Sequence, residues 1–333
     1  MRPGGRRSGA APGPPVMISY LIQRLLYVIP VVIGVSLICF LLVHIAPGDP
    51  LVAVMPIDAT AEQEAEMRAI YGFDKPLPVQ FAVWAGNALQ GDLGQSIATG
   101  RPVGPEVLRA VQNTLLLAFA ASLIGFPLGV GLGFLAGYFH DTLADRAITA
   151  FAIGGVSTPN YWLGMVLVII FSVQLGWLPS MGAGPGGSGE WKWNAEHMRH
   201  LVLPAITLAV VPMGIVMRTT RALVADILDQ EFVQALEAKG LTGTGVLAHV
   251  ARNAAPTALS VIGLQLGYLL GGSILIETVF NWPGSGYLLS VAILQRDLPM
   301  LQGTILVLAM FFVALNLAVD LAQSAIDPRI KRT

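Results

Sequence analysis

Long apolar runs without a formal charge make up most of this chain, separated by short polar segments. One run, 25–43, lies between Arg24 and His44, and a second, 111–140, between Arg109 and Asp141. A third, 147–189, is followed by 201–217, 253–276 and 298–319. Each can supply the roughly 20 apolar residues that cross about 30 Å of hydrocarbon. The third run is too long for one simple span. Ser157-Thr158-Pro159-Asn160 interrupts it, and a Gly-rich loop, 182–189, follows Leu178-Pro179. We read one long span over 148–176, bent at Pro159; the alternative is a surface helix before Pro159 and a span after it. The pattern predicts an all-α polytopic membrane protein with six transmembrane helices: 17–46, then 111–139, 148–176, 201–224, 254–277 and 298–322 in a core over 106–325. Five or seven spans are the fallback counts.

Composition agrees with a bilayer as solvent. The chain is 54% hydrophobic and 12% charged, with a mean hydropathy of +0.68, whereas soluble domains carry about 25% charged residues. A net charge of −1 gives no sign of a nucleic-acid partner. The single Cys39 rules out a disulfide or cysteine-based metal framework within the chain, and reads as a small apolar residue facing lipid or a neighbouring helix. The first apolar run exceeds the 7–15 residues of a signal-peptide core, and Pro47 after Ala46 makes a poor cleavage site, so it should remain as a membrane helix. Residues 1–16 are Gly-, Pro- and Arg-rich and read as a disordered leader or a misassigned start before Met17. Residues 326–333 read as a cytosolic tail.

Lys and Arg concentrate on the cytosolic side of membrane proteins. With the N-terminus inside, Arg2, Arg6, Arg7, Arg24, Arg146, Arg218, Arg221, Lys239, Arg252, Arg329, Lys331 and Arg332 are cytosolic, and the excess holds without the first three. Arg68, Lys75, Arg101, Arg109, Lys192, Arg199 and Arg296 are then external. The inward excess and six spans place both termini in the cytosol and the loop 47–105 outside. That loop holds Glu62, Glu64 and Glu66 in a predicted helix, 60–71, with Thr60 or Asp58 as N-cap. It reads as a small external cap over the spans or a surface for a substrate-binding protein.

The cytosolic segment between the fourth and fifth spans, 226–253, is the most informative. Leu228, Phe232, Ala235 and Leu236 share one helical face by their spacing. Gly240 suits the left-handed position that ends a helix, Thr242 or Thr244 can cap a short second helix through Val246, Leu247 and Val250, and Pro256 suits the opening of the fifth span. The result is a compact knob. Two glycine rows, Gly125, Gly129, Gly133 and Gly137, and Gly263, Gly267 and Gly271, recur every four residues and would let helix backbones approach closely, within the subunit or against a second one. Glu277, Trp282, Pro283 and Gly284 mark a turn after the fifth span.

Other chemistry is weak. Gly240-Leu241-Thr242-Gly243-Thr244-Gly245 lacks the Lys of a phosphate-binding loop, so the chain should not hydrolyse ATP. His197 and His200 are three apart, but no third metal ligand lies near in sequence. No nucleophile and base converge as a membrane enzyme would require, and no catalytic residue or metal site is expected.

Ala238-Lys239-Gly240-Leu241, the downstream Arg252-Asn253, Glu277-Thr278-Val279-Phe280-Asn281-Trp282-Pro283-Gly284-Ser285-Gly286 and Arg296-Asp297-Leu298-Pro299 occur here in order. Together they resemble the permease subunits, of the dipeptide "B" type, in the dipeptide, oligopeptide and nickel branch of binding-protein-dependent ABC importers. The resemblance runs from about Met17 to the end. It implies the type I importer permease fold, a bacterial inner-membrane location, and import of peptides or related solutes. The knob then resembles the element coupled to an ATPase subunit, through Gln234, Ala235, Leu236, Glu237, Ala238, Lys239, Gly240 and Leu241. Against the general Glu-Ala-Ala-x3-Gly consensus, only Ala235 and Gly240 match strictly. The resemblance places Glu277, Trp282, Pro283 and Gly284 at the outer mouth. It implies a second homologous permease, two ATP-binding subunits holding ATP and Mg, an external substrate-binding protein, and no cofactor in this chain. The cargo stays open among dipeptides, oligopeptides, glutathione-like compounds and nickel chelates. An ion-coupled secondary transporter or channel is the other class, disfavoured because the span interiors carry almost no ionisable groups.

Overall fold

A computed structural model describes residues 26, 29–41, 60–70, 72–241 and 243–326. The described chain is helical throughout: α1 (Ile29–Leu41), α2 (Ala61–Ile70), α3 (Leu77–Leu89), α4 (Val103–Tyr138), α5 (Leu143–Ser157), α6 (Asn160–Leu167), α7 (Ala195–Leu228), α8 (Glu231–Ala238), α9 (Thr244–Val279), α10 (Ser285–Gln295) and α11 (Leu298–Ile326). Helices α4, α7, α9 and the Leu298–Val319 part of α11 are long and apolar enough to cross a membrane, and the bent α5–α6 pair brings the number to five. The expected first span, 17–46, extends past the described residues on both sides of α1. The leader 1–16, Asp58, Thr242 and residues 327–333 also lie outside them.

The bend comes from Pro159. Its ring disfavours helical backbone in the residue before it, and Thr158 is extended at φ −86°, ψ 127°. The pair is bent by 101° at this break. The second arm ends in a π-helical stretch, Val168–Gln174. The expectation of a break at this position therefore stands, but at this angle the pair is either a broken span or a re-entrant loop.

Several boundaries differ from the hydropathy reading because local backbone conformation and capping, not apolarity, set helix ends. α4 starts at Val103, within the segment expected to be external loop, since extended Pro102 (φ −64°, ψ 129°) precedes it and Pro105 is tolerated in a first turn. α7 starts at Ala195, before the expected 201, because Asn194 caps it by accepting the His197 amide at 2.9 Å. α9 is one unbroken helix from Thr244, where a short cytosolic helix and a separate span opening at Pro256 were expected. A proline inside a membrane helix is tolerated where neighbouring groups satisfy the freed backbone. In α2, Thr60 and Gln63 cap each other: the Thr60 amide donates to Gln63 Oε1 at 2.9 Å, and the Gln63 amide to Thr60 Oγ1 at 3.3 Å.

The α4–α7 pair forms the spine. Gly125, Gly129, Gly133 and Gly137 are all buried against α7. A methyl group on Gly129 would sit 2.9 Å from the Met213 carbonyl oxygen, and one on Gly137 2.7 Å from that of Arg221. Only glycine lets two helix backbones approach so closely. Gly214 plays the same part between α7 and α5, where a methyl would lie 2.9 Å from Ala152 O. The other row behaves differently. Gly263 is buried, but Gly267 is met only at 3.6 Å by Phe312, and Gly271 has nothing within 4 Å. Leu117, Leu203, Leu208, Leu269, Ile276 and Phe280 fill the main core around the spine. Phe119, Leu123, Leu264 and Leu275 remain exposed on its outside, as expected of side chains that meet lipid.

Candidate functional site

At one end of the spine, the turn after α9 is organised by a carboxylate. Glu277 is fully buried. Its Oε1 accepts the Thr114 hydroxyl at 2.7 Å, and its Oε2 accepts the backbone amides of Gly286 at 2.6 Å and Tyr287 at 3.1 Å. The Ser285 amide donates to Thr114 Oγ1 at 2.8 Å. Glu277 and Thr114 thus serve the free amides at the start of α10, where Gly284 offers no side chain to cap them. Trp282, also fully buried, donates its indole N–H to Asn113 O at 3.0 Å, and Asn113 Nδ2 donates to Pro283 O at 2.9 Å. A methyl on Gly284 would collide with the Glu277 carboxylate. The structure therefore brings Glu277, Trp282, Pro283 and Gly284 together with α4, and gives them a holding role in this turn.

A second carboxylate near this region was given no role in the sequence reading. Asp297 is buried and starts α11, accepting the Met300 amide at 3.2 Å. It also accepts the Ser96 hydroxyl and the amides of Ile97 at 3.1 Å and Ala98 at 3.3 Å. Asp297 stood in sequence only as part of the Arg296-Asp297-Leu298-Pro299 motif; its partners 200 residues away were not legible. Beside this staple, α1, α3 and the start of α11 enclose a cavity of about 500 Å³ lined by Phe40, Lys75, Trp84, Asn87, Asp92 and Gln302.

The knob lies at the other end of the spine. Val233 is its buried anchor, packed with Val224, Ile227, Val246, Val250 and Ala254. The expected Leu228-Phe232-Ala235-Leu236 face is met in part: Leu228 and Phe232 pack against the same cluster, but Val233 is the buried member. Leu228, Phe232 and Leu236 are half-buried and Ala235 is exposed, because so short a helix touches the core along one edge. Gln234, Ala235, Glu237, Ala238, Lys239 and Gly240 are exposed, and Leu241 is half-buried. Gly240 has φ 84°. Its amide donates to Glu237 O at 2.9 Å, and the Leu241 amide to Leu236 O at 3.1 Å, the paired closure that ends a helix on a left-handed residue. Close by, Arg221 of α7 grips buried Asp145 of α5 with two bonds, Nε to Oδ1 at 3.0 Å and Nη2 to Oδ2 at 2.6 Å. Thr149 and the Asp141 amide complete that carboxylate. Sequence reading counted Arg221 only as a positive charge; a partner 76 residues away leaves no local signal.

His197 and His200 do not converge on a common point. Nδ1 of His197 lies 2.7 Å from Asn194 Oδ1, and Nδ1 of His200 lies 2.9 Å from Met181 O. Both imidazoles hold local loops.

Residues 129–332 match the family described as binding-protein-dependent transport system inner membrane component, and residues 17–102 match the N-terminal region of such membrane components. The chain belongs to this family. Accordingly the permease is a multi-pass inner-membrane protein and is not itself the catalytic part of such a system. It is 38% identical over 316 residues to the glutathione transport system permease protein GsiC of Escherichia coli O6:H1, covering 95% of the permease and 99% of that protein. A putative peptide transport system permease protein of Brucella melitensis biotype 1 is 37% identical over 317 residues, with the same two coverages. In fold, the permease is similar to the MetNI methionine ABC transporter in its inward-facing conformation. The TM-score is 0.53 at 17% identity, covering 66% of the permease and 96% of that chain.

Proposed function

We propose that the chain is one permease subunit of an ATP-driven importer that moves short peptides, glutathione-like tripeptides included, across the cytoplasmic membrane. The observation that carries this is the α8 knob. A short helix anchored by Val233 presents Gln234, Ala235, Glu237, Ala238, Lys239 and Gly240 outward, exposed among the described residues. Its position at the end of the rigid α4–α7 spine suits a lever that turns partner movement into helix tilt. The names of the relatives support the substrate class.

In this reading the complex holds a second permease, two ATPase subunits that bind ATP and Mg, and an external binding protein that delivers the cargo. Both termini are cytosolic, the 47–105 loop is external, and the Glu277–Trp282 turn lies at the outer mouth. The Arg221–Asp145 grip, just behind the knob, carries movement from α7 into α5. Much of the selectivity resides in the binding protein, so a nickel-chelate importer is the nearest alternative. Pull-down of the ATPase subunits by the membrane-inserted chain tests the assignment of the knob. Retention by the wild type and loss with Gly240→Val supports it; equal retention by both rejects it.

A further inference from the structure

A second cavity, of about 440 Å³, opens between the first turns of α4 and the segment leading into α7. Arg109, Gln112 and Asn113 line one wall, and Glu190, Trp191 and Trp193 the other. Its volume falls within the range of about 300–1,000 Å³ usual for ligand sites. Arg109 and Glu190 face this one space, yet no ion pair joins them to each other or to any described residue. The Trp191 indole N–H is buried and has no acceptor among the described residues. The aromatic wall is fixed, not loose: the Trp191 ring lies 5.6 Å from Trp282 and 5.9 Å from each of Trp193 and His197. The opposite wall is fixed through Asn113, which is bonded to both Trp282 and Pro283.

A cation and an anion kept apart across a small aromatic cleft match a ligand whose own charges are kept apart. Arg109 offers a fork of donors to a carboxylate, with Gln112 as a further donor. Glu190 offers an acceptor to an ammonium, and the exposed Trp193 face can add a cation–π contact. We propose that this cavity binds one free short peptide by its two ends, the α-carboxylate on Arg109 and the α-ammonium on Glu190. The inference rests on the importer reading: on that orientation the cavity opens at the external face, beside the Glu277–Trp282 turn, and is where released cargo first meets the permease.

The test is equilibrium binding of radiolabelled alanyl-leucine to the full chain in lipid nanodiscs. Its N-acetyl and C-amide forms and free leucine serve as competitors. Saturable binding is expected, with each capped form and the free amino acid at least about tenfold weaker. Arg109→Gln should weaken binding of the free peptide and remove its advantage over the C-amide. Glu190→Gln should weaken binding and remove the advantage over the N-acetyl form. Arg109→Lys and Glu190→Asp should retain part of the affinity, which separates charge recognition from a folding defect. No saturable binding to the wild type, equal competition by capped peptides, or unchanged affinity in both Gln variants would overturn the proposal. So would variants that lose affinity for a substrate-binding protein while keeping that for the peptide. ATP-driven uptake is measured in parallel. Uptake without peptide binding at this cavity removes the inference and leaves the importer reading standing; peptide binding without ATP-driven uptake does the reverse.

Discussion

Gly240 and Gly284 carry different constraints, and substitution should separate them. Gly240 sits at φ 84° with nothing within 4 Å of a would-be Cβ, so the main cost of valine there is the left-handed backbone penalty of about 1–2 kcal/mol. Gly240→Val should therefore insert and fold while deforming the exposed knob. Expected outcomes are wild-type expression in membranes, and uptake by the assembled transporter lowered at least about tenfold, a change equivalent to about 1.4 kcal/mol. Wild-type uptake would remove the residue-level support for coupling. Gly284 has ordinary backbone (φ −92°) but no room. Gly284→Ala should cost about 1–3 kcal/mol through overpacking against Glu277. Glu277→Ala should cost a similar amount, because it leaves the Gly286 and Tyr287 amides without their acceptor and removes a bond from the Thr114 hydroxyl. Both would appear as a lower melting temperature of the detergent-solubilised chain. An unchanged melting temperature for Glu277→Ala would show that the buried network contributes nothing to holding the turn.

Among the elements, the α4–α7 spine gives the sharpest contrast. Gly133→Ala should destabilise, since the methyl would press on Met217 O and lie 2.8 Å from Thr220 Cβ. Gly271→Ala, with open space around it, should be neutral or stabilising by up to about 1 kcal/mol, the usual gain of alanine over glycine in a helix. Paired thermal melts of the isolated chain check this, and equal effects of the two substitutions would contradict the packing account. The two glycine rows look alike in sequence, yet only the first is closed along its whole length by the described residues. A period of four reports which helix face is small, not what covers it. The long apolar spans were legible because hydrocarbon demands them. Their ends were not, because the extended Pro102, the side-chain cap of Asn194 and the positive-φ Gly243 set helix starts irrespective of hydropathy. The bend at Pro159 was readable from the missing N–H and the steric rule for the preceding residue, but its angle was not. Arg221–Asp145 and the Asp297 staple were invisible for one reason: each joins residues far apart in sequence, and a lone polar residue at a span end looks solvated until the fold supplies its partner.

At the scale of the whole molecule, orientation and energy source decide the function. Single cysteines at Glu66 and Lys239, both exposed, in a Cys39→Ser background should label from opposite sides of sealed vesicles, with Glu66 external; same-side labelling would break the topology on which the knob and mouth assignments depend. The central claim is that ATP hydrolysed by partner subunits drives peptide import through this chain. The direct measurement is uptake of a radiolabelled dipeptide into proteoliposomes. They carry this permease, its partner permease and the ATPase subunits, with the binding protein outside and ATP and Mg inside. The account predicts uptake that requires both ATP and the binding protein and persists when ionophores collapse every ion gradient. Uptake that continues without ATP and stops with the ionophores would contradict it and identify an ion-coupled transporter instead.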